Sequence, residues 1–162
     1  MGGSQGAGNT TPVAEFNVYA DPEAAAQVFG KARHARMFGI EVCRQVQVGD
    51  REVEALRALK HPRAAVFADH LDGYIDIARR RGRRTGALYD PTPVAWLAHP
   101  QWFELRPARV DVELHGRLTR GMTVCELRIP QRAQPNAEVA VQADGARVLD
   151  WAVDLLRPHL TR

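Results

Sequence analysis

The stretch MGGSQGAGNTTPVAEFNVYADPEAA, residues 1–25, is the part of this chain that decides its fold. A loop rich in glycine and other small residues runs into a helix that begins at Asp21, with Pro22 at the first helical position. Loops of this composition commonly line a pocket at the carboxyl end of a sheet strand. We therefore expect a strand of the same sheet to precede Met1.

The bulk composition is that of a globular domain, and we expect one domain over residues 1–162. Apolar residues make up 45% of the chain and charged residues 25%, with a formal net charge of +3. No apolar run has membrane-spanning length, and no signal peptide is recognisable. Cys43 and Cys125 are far apart and form no CxxC pair, so neither a disulfide framework nor a zinc site is expected. These features favour the cytoplasm and exclude a membrane protein.

Helix and strand signals alternate along the chain, which predicts an α/β fold. The apolar run Met37 to Cys43 (MFGIEVC) has the character of a buried parallel strand. Further strands are predicted at Val110 to Leu114, Met122 to Leu127 and Val139 to Val141. Helices are predicted after Asp21, Asp50, Pro62 and Asp90, with a terminal helix from Asp144 or Gly145.

Two charged clusters have a structural and a functional interpretation. Five arginines surround Gly82 (Arg79, Arg80, Arg81, Arg83 and Arg84), and they suit either an anion or the carboxyl end of a helix that Gly82 terminates. No aromatic residues are interleaved with them, which disfavours nucleic acid. Asp69, Asp72 and Asp76 share one helix face; a solvated stripe is favoured there over a metal site.

Polar side chains that suit a sugar occur at two helix starts. Asn9, Glu15 and Asn17 offer amide groups and a carboxylate that can hold hydroxyl groups. Asp90 precedes Pro91 and is either a helix cap or part of the same crevice.

Taken together, the motifs resemble the carboxyl-terminal half of the inosine–uridine-preferring nucleoside hydrolases. The fold implied is the carboxyl-terminal part of a mainly parallel, Rossmann-like sheet flanked by helices. The matching motifs are MGGS (1–4), GN (8–9), AEFN (14–17), ADPEAA (20–25), GIEV (39–42), DP (90–91), VELHGRLTRGMTV (112–124) and PN (135–136).

The resemblance implies hydrolysis of the N-glycosidic bond of a ribonucleoside to ribose and free base. It implies a bound Ca²⁺ that grips the ribose diol and a water molecule, with Asp90 as one ligand. Asn9, Glu15 and Asn17 would then hold the ribose hydroxyls, and Met1 would lie near the sugar. Members of the family form homo-oligomers.

Two features of this sequence depart from the family pattern. The aspartate cluster DxDxGxDD, which supplies the remaining calcium ligands and the general base, is absent. Tyr89 stands where many members have a histidine that protonates the leaving base, and a phenol is a weaker acid than an imidazolium. We therefore expect a truncated ribonucleoside hydrolase that has little activity alone. Its partner would be the missing amino-terminal half. The alternative is a non-catalytic module that binds ribose or an anion.

Overall fold

The computed structural model describes residues 1–160, so the predicted domain end at 162 lies outside the described residues. The helices are Phe16–Ala20 (α1), Pro22–Lys31 (α2), Ile40–Cys43 (α3), Asp50–Ala58 (α4), Pro62–Arg80 (α5), Pro91–Ala98 (α6) and Gly145–Leu160 (α7). The strands are Ala35–Met37 (β1), Gln47–Val48 (β2), Gly86–Ala87 (β3), Phe103–Val112 (β4), Thr123–Glu126 (β5) and Ala137–Ala143 (β6). Among residues 1–160, no helix combines the length and apolar character needed to cross a membrane.

The main sheet has four strands in the order β1-β6-β4-β5, and a small ladder joins β2 to β3. Strands β1 and β6 run parallel, whereas β4 pairs antiparallel with both β6 and β5. Apolar residues of β1, β4 and β6 form a core that Phe29 of α2 covers. The predicted α/β class with flanking helices is confirmed, as are the strands around Val110, Thr123 and Val139.

The prediction of one strand from Met37 to Cys43 is wrong beyond its first residue. Strand β1 ends at Met37, and Ile40–Cys43 forms the short helix α3, which begins after the extended residue Gly39. The run is buried as expected, because Ile40 and Cys43 are both inaccessible to solvent. A short buried run has the same composition in either conformation, so periodicity could not separate strand from helix here.

Helix ends follow the local signals in the sequence. Asp21 caps α2 by accepting a hydrogen bond from the Ala24 N–H at 2.9 Å. Gly82 ends α5 with a positive φ of 77°, as its position among the arginines predicts.

The charged clusters have mostly structural roles. Arg79 pairs with Asp50 at 2.6 Å and with Asp76 at 3.7 Å, and Arg57 pairs with Asp69 and Asp72. The acidic stripe is therefore paired with arginines at the surface. The anion-binding alternative would need the arginine cluster, but Arg79 of that cluster is already paired with Asp50 and Asp76.

The opening loop is tied to the sheet by backbone and hydroxyl contacts. Gly2 N–H donates to the Phe38 carbonyl at 3.1 Å, and Gly3 accepts from the Ile40 N–H at 3.0 Å. Buried Thr123 on β5 accepts from the Ser4 N–H at 2.9 Å and donates to the Ser4 carbonyl at 2.5 Å. Gly3 has φ of 77° and any Cβ would lie 2.9 Å from the Met37 sulfur, so only glycine fits this turn.

We expect Thr123→Val to lower the free energy of unfolding by about 2–3 kcal/mol, because it removes the hydroxyl that bonds both the buried N–H and the carbonyl of Ser4. Urea denaturation followed by circular dichroism measures the change. Thr119→Val is the matched control, since it makes the same substitution in the neighbouring turn. Equal stability of the two variants would contradict the role assigned to Thr123.

Candidate active site

A buried carboxylate organises the first half of the candidate site. Glu15 is 2% exposed and precedes α1. Its Oε2 accepts hydrogen bonds from the N–H groups of Gly3 at 2.8 Å and Asn17 at 3.0 Å, and Oε1 accepts from Asn17 at 3.0 Å. The side chain therefore caps α1 and holds the opening loop against it.

The two amide side chains lie at the same end of α1. Asn9 is exposed, and its Oδ1 accepts from the Phe16 N–H at 2.9 Å. Asn17 is also exposed, and its Nδ2 lies 3.3 Å from both the carbonyl oxygen and the sulfur of Met1. The three residues predicted to hold ribose, together with Met1, are thus brought together around one helix start.

The second half of the site follows β3. Tyr74 of α5 donates from its hydroxyl to the Ala87 carbonyl at 2.7 Å and fixes this strand, so that Tyr89 and Asp90 come directly before α6. Asp90 occupies the N-cap position but accepts no capping hydrogen bond from α6, whose residues the structure describes in full. Its carboxylate is exposed. The helix-cap alternative therefore does not account for Asp90.

Tyr89 connects the two halves. It is half-buried and packs, like Met1, against the apolar cluster that contains Phe38 and Cys43. The Cys43 thiol lies 3.6 Å from the Tyr89 carbonyl. Burial raises the pKa of the Cys43 thiol to about 12. Met1 and Tyr89 thus rest on the same apolar cluster, which brings the two halves of the site together beside α3.

Calcium fits this site only in part. Asp90 offers exposed carboxylate oxygens, the ligand type that Ca²⁺ prefers. Within residues 1–160, however, no group of three or more His, Cys, Asp or Glu side chains is arranged to hold a metal ion. Because Ca²⁺ takes about six to eight oxygen ligands, these residues do not complete a calcium site on their own.

Two contacts at the site were not anticipated from the sequence. Glu41 Oε1 accepts from the N–H groups of Gln5 at 3.0 Å and Gly6 at 3.1 Å, which fixes the glycine-rich loop. Arg83 donates to the Tyr89 hydroxyl at 2.8 Å. Glu41 is 36 positions from Gln5, and Arg83, six residues before Tyr89, resembled one more helix-capping arginine, so no local pattern identified either contact.

Comparison with known proteins identifies the family. The pattern of the inosine-uridine preferring nucleoside hydrolase family matches residues 1–150. The chain belongs to this family, and the predicted resemblance is confirmed.

Individual relatives agree with this membership. The pyrimidine-specific ribonucleoside hydrolase RihA of Shewanella woodyi is 40% identical over 98% of this chain and 52% of its own length. RihA of Escherichia coli is 36% identical over 97% of this chain and 51% of its own length. The chain spans about half the length of the curated relatives it matches.

Solved structures agree as well. A purine-preferring ribonucleoside hydrolase from Gardnerella vaginalis superimposes with a TM-score of 0.87 at 27% identity, covering 99% of this chain and 52% of that protein. A plant nucleoside hydrolase gives a TM-score of 0.82 at 26% identity, covering 99% and 52%.

We expect Glu15→Gln to lower the free energy of unfolding by about 2–3 kcal/mol, since an amide accepts hydrogen bonds from backbone N–H groups less strongly than a carboxylate. Urea denaturation gives the value. Glu54→Gln, at an exposed position of α4, is the matched control and should change stability little. A stability loss no larger than that of the control would contradict the capping role of Glu15.

We expect Cys43 and Cys125 to resist thiol reagents at pH 8, because burial raises the pKa of each thiol to about 12. Relative to an ordinary thiol, the thiolate fraction falls about a thousandfold. Since the folded state holds these protons more tightly, stability should decrease as the pH rises above the ordinary thiol range. Mass spectrometry after alkylation, with and without urea, measures the reactivity; rapid labelling in the folded state would contradict it.

Proposed function

We propose that this chain forms the sugar- and base-binding half of a ribonucleoside hydrolase, which splits the N-glycosidic bond to give ribose and a free base. The observation that supports the proposal is that Asn9, Glu15 and Asn17 gather at the start of α1, and that Met1 beside Asn17 packs on the same apolar cluster as Tyr89, the neighbour of Asp90. These residues lie in a region that matches the family pattern throughout. The composition of the chain favours a cytoplasmic location.

Hydroxyl groups of ribose would bind at the start of α1. Asn17 presents an exposed amide beside Met1, and Asn9 presents another across the loop. Glu15 is held rigidly by backbone donors that occupy its Oε2, whereas Oε1, which accepts from Asn17, has further acceptor capacity. Fixed polar groups of this kind stabilise a sugar most when charge develops on it, as in the oxocarbenium-like transition state of glycoside hydrolysis.

Tyr89 would face the departing base. Its hydroxyl can donate a hydrogen bond to the base as the bond to ribose breaks, which stabilises the electron pair left on the base. The relatives at 36–40% identity are pyrimidine-specific, and this favours uridine or cytidine as the nucleoside.

Asp90 would be one ligand of Ca²⁺, which in this chemistry polarises the diol and the attacking water. The remaining ligands and the general base would come from an aspartate-rich amino-terminal half. The edge of the sheet at β1 supports a docking place for such a half. Within residues 1–160, β1 pairs with β6 alone. Gly2 hydrogen-bonds to Phe38 immediately beyond β1, so a strand leading into Met1 would lie alongside the free edge of β1.

The test compares the chain alone with the chain co-expressed with the part of the Shewanella woodyi enzyme that it does not match. We expect ribose release from uridine in calcium only from the combination, because only then is the metal site complete. Ribose is measured as reducing sugar. Turnover by the chain alone would contradict the proposed dependence on the second half.

Asp90→Asn in the same combination should lower kcat/KM about 100-fold or more, since a neutral amide is a poorer calcium ligand than a carboxylate. Asp69→Asn, on the surface of α5, is the matched control and should retain activity. Equal activity of the two variants would contradict the assignment of Asp90.

A further inference from the structure

Arg83 is fixed in place by the end of α5. The Gly82 N–H donates to the Arg79 carbonyl at 2.9 Å and the Arg83 N–H to the Ala78 carbonyl at 3.0 Å. This pair of bonds is a Schellman motif, in which the second residue beyond the helix usually makes an apolar contact back to the last turn. Arg83 occupies that position but is half-buried and reaches Tyr89 instead.

The hydrogen bond between Arg83 and Tyr89 can run in only one direction. A guanidinium group is always charged and has donors but no acceptor. The Arg83 Nη1–H group therefore donates to the Tyr89 oxygen, at 2.8 Å. The tyrosine cannot donate to Arg83, so its own O–H is directed elsewhere.

We propose that Arg83 is a positioning residue that holds the Tyr89 hydroxyl so that its O–H is donated to the departing nucleobase. The inference rests on the proposed function. Arg83 also withdraws electron density from the oxygen, which strengthens the hydrogen bond that the O–H donates.

Hydrolysis of the bond between ribose and the base needs no reactant other than water. The bond from ribose C1′ to the base nitrogen breaks, and its electron pair stays on the base, where the Tyr89 hydrogen bond stabilises it. Water adds its oxygen to C1′, and the proton that it releases ends on the base. Arg83 and Tyr89 are unchanged at the end of the cycle.

The decisive comparison uses two substrates of the assembled enzyme whose leaving groups differ in how much they need hydrogen-bond stabilisation. Uridine leaves poorly without a hydrogen bond to the base, whereas para-nitrophenyl β-D-ribofuranoside releases a stable anion unaided. We expect Arg83→Gln to lower kcat on uridine about tenfold or more while kcat on the nitrophenyl riboside stays close to that of the wild type. Arg83→Lys keeps a charged donor and should restore part of the loss. Arg84→Gln is the matched control.

A second measurement tests the contact directly. The chain has three tyrosines, and NMR of tyrosine labelled at Cζ should show its largest shift at the Tyr89 signal in Arg83→Gln and no shift of that signal in Arg84→Gln.

The outcomes separate the inference from the function on which it rests. Equal losses on both substrates, no loss on either, or an unshifted Tyr89 signal would overturn the role of Arg83 while leaving the hydrolase function intact. Failure of the wild-type assembly to hydrolyse either substrate would overturn the proposed function and this inference with it.

Discussion

The hydrogen bonds of the buried Glu15 carboxylate are the interaction on which the rest of the site depends. They join Gly3 of the opening loop to Asn17 at the start of α1. A charged group with 2% exposure is stable only when donors surround it, and backbone N–H groups supply them here. The same bonds that satisfy the charge therefore fix the positions of Asn9, Asn17 and Met1.

The second half of the site depends on the carboxyl-terminal part of helix α5. Helix α5 is long, and its end places both the Tyr74 anchor of β3 and the Arg83 donor of Tyr89. Both halves then rest on α3, whose buried Cys43 lies beneath them. The sheet positions the site, whereas the start of α1 and the end of α5 orient its polar side chains.

Local signals account for what the sequence could predict. Asp21 and Gly82 act within one turn of their own position, and strands such as that around Val139 show their pattern in a few residues. The helix at Ile40–Cys43 was missed because complete burial removes the alternation that separates helix from strand. The contact between Arg83 and Tyr89 was missed because it depends on how the chain turns back after Gly82. Family resemblance supplied the set of site residues, whereas their partners required the structure.

The bond between Ser4 and Thr123 joins residues 119 positions apart. During synthesis on the ribosome, Ser4 emerges long before the strand that will hold it. This anchor of the loop that carries Asn9 therefore forms only after β5, the strand that pairs with β4, has been translated. A contact of the residues translated first thus waits for a residue translated 119 positions later, so the contact order of the fold limits how early the site can form.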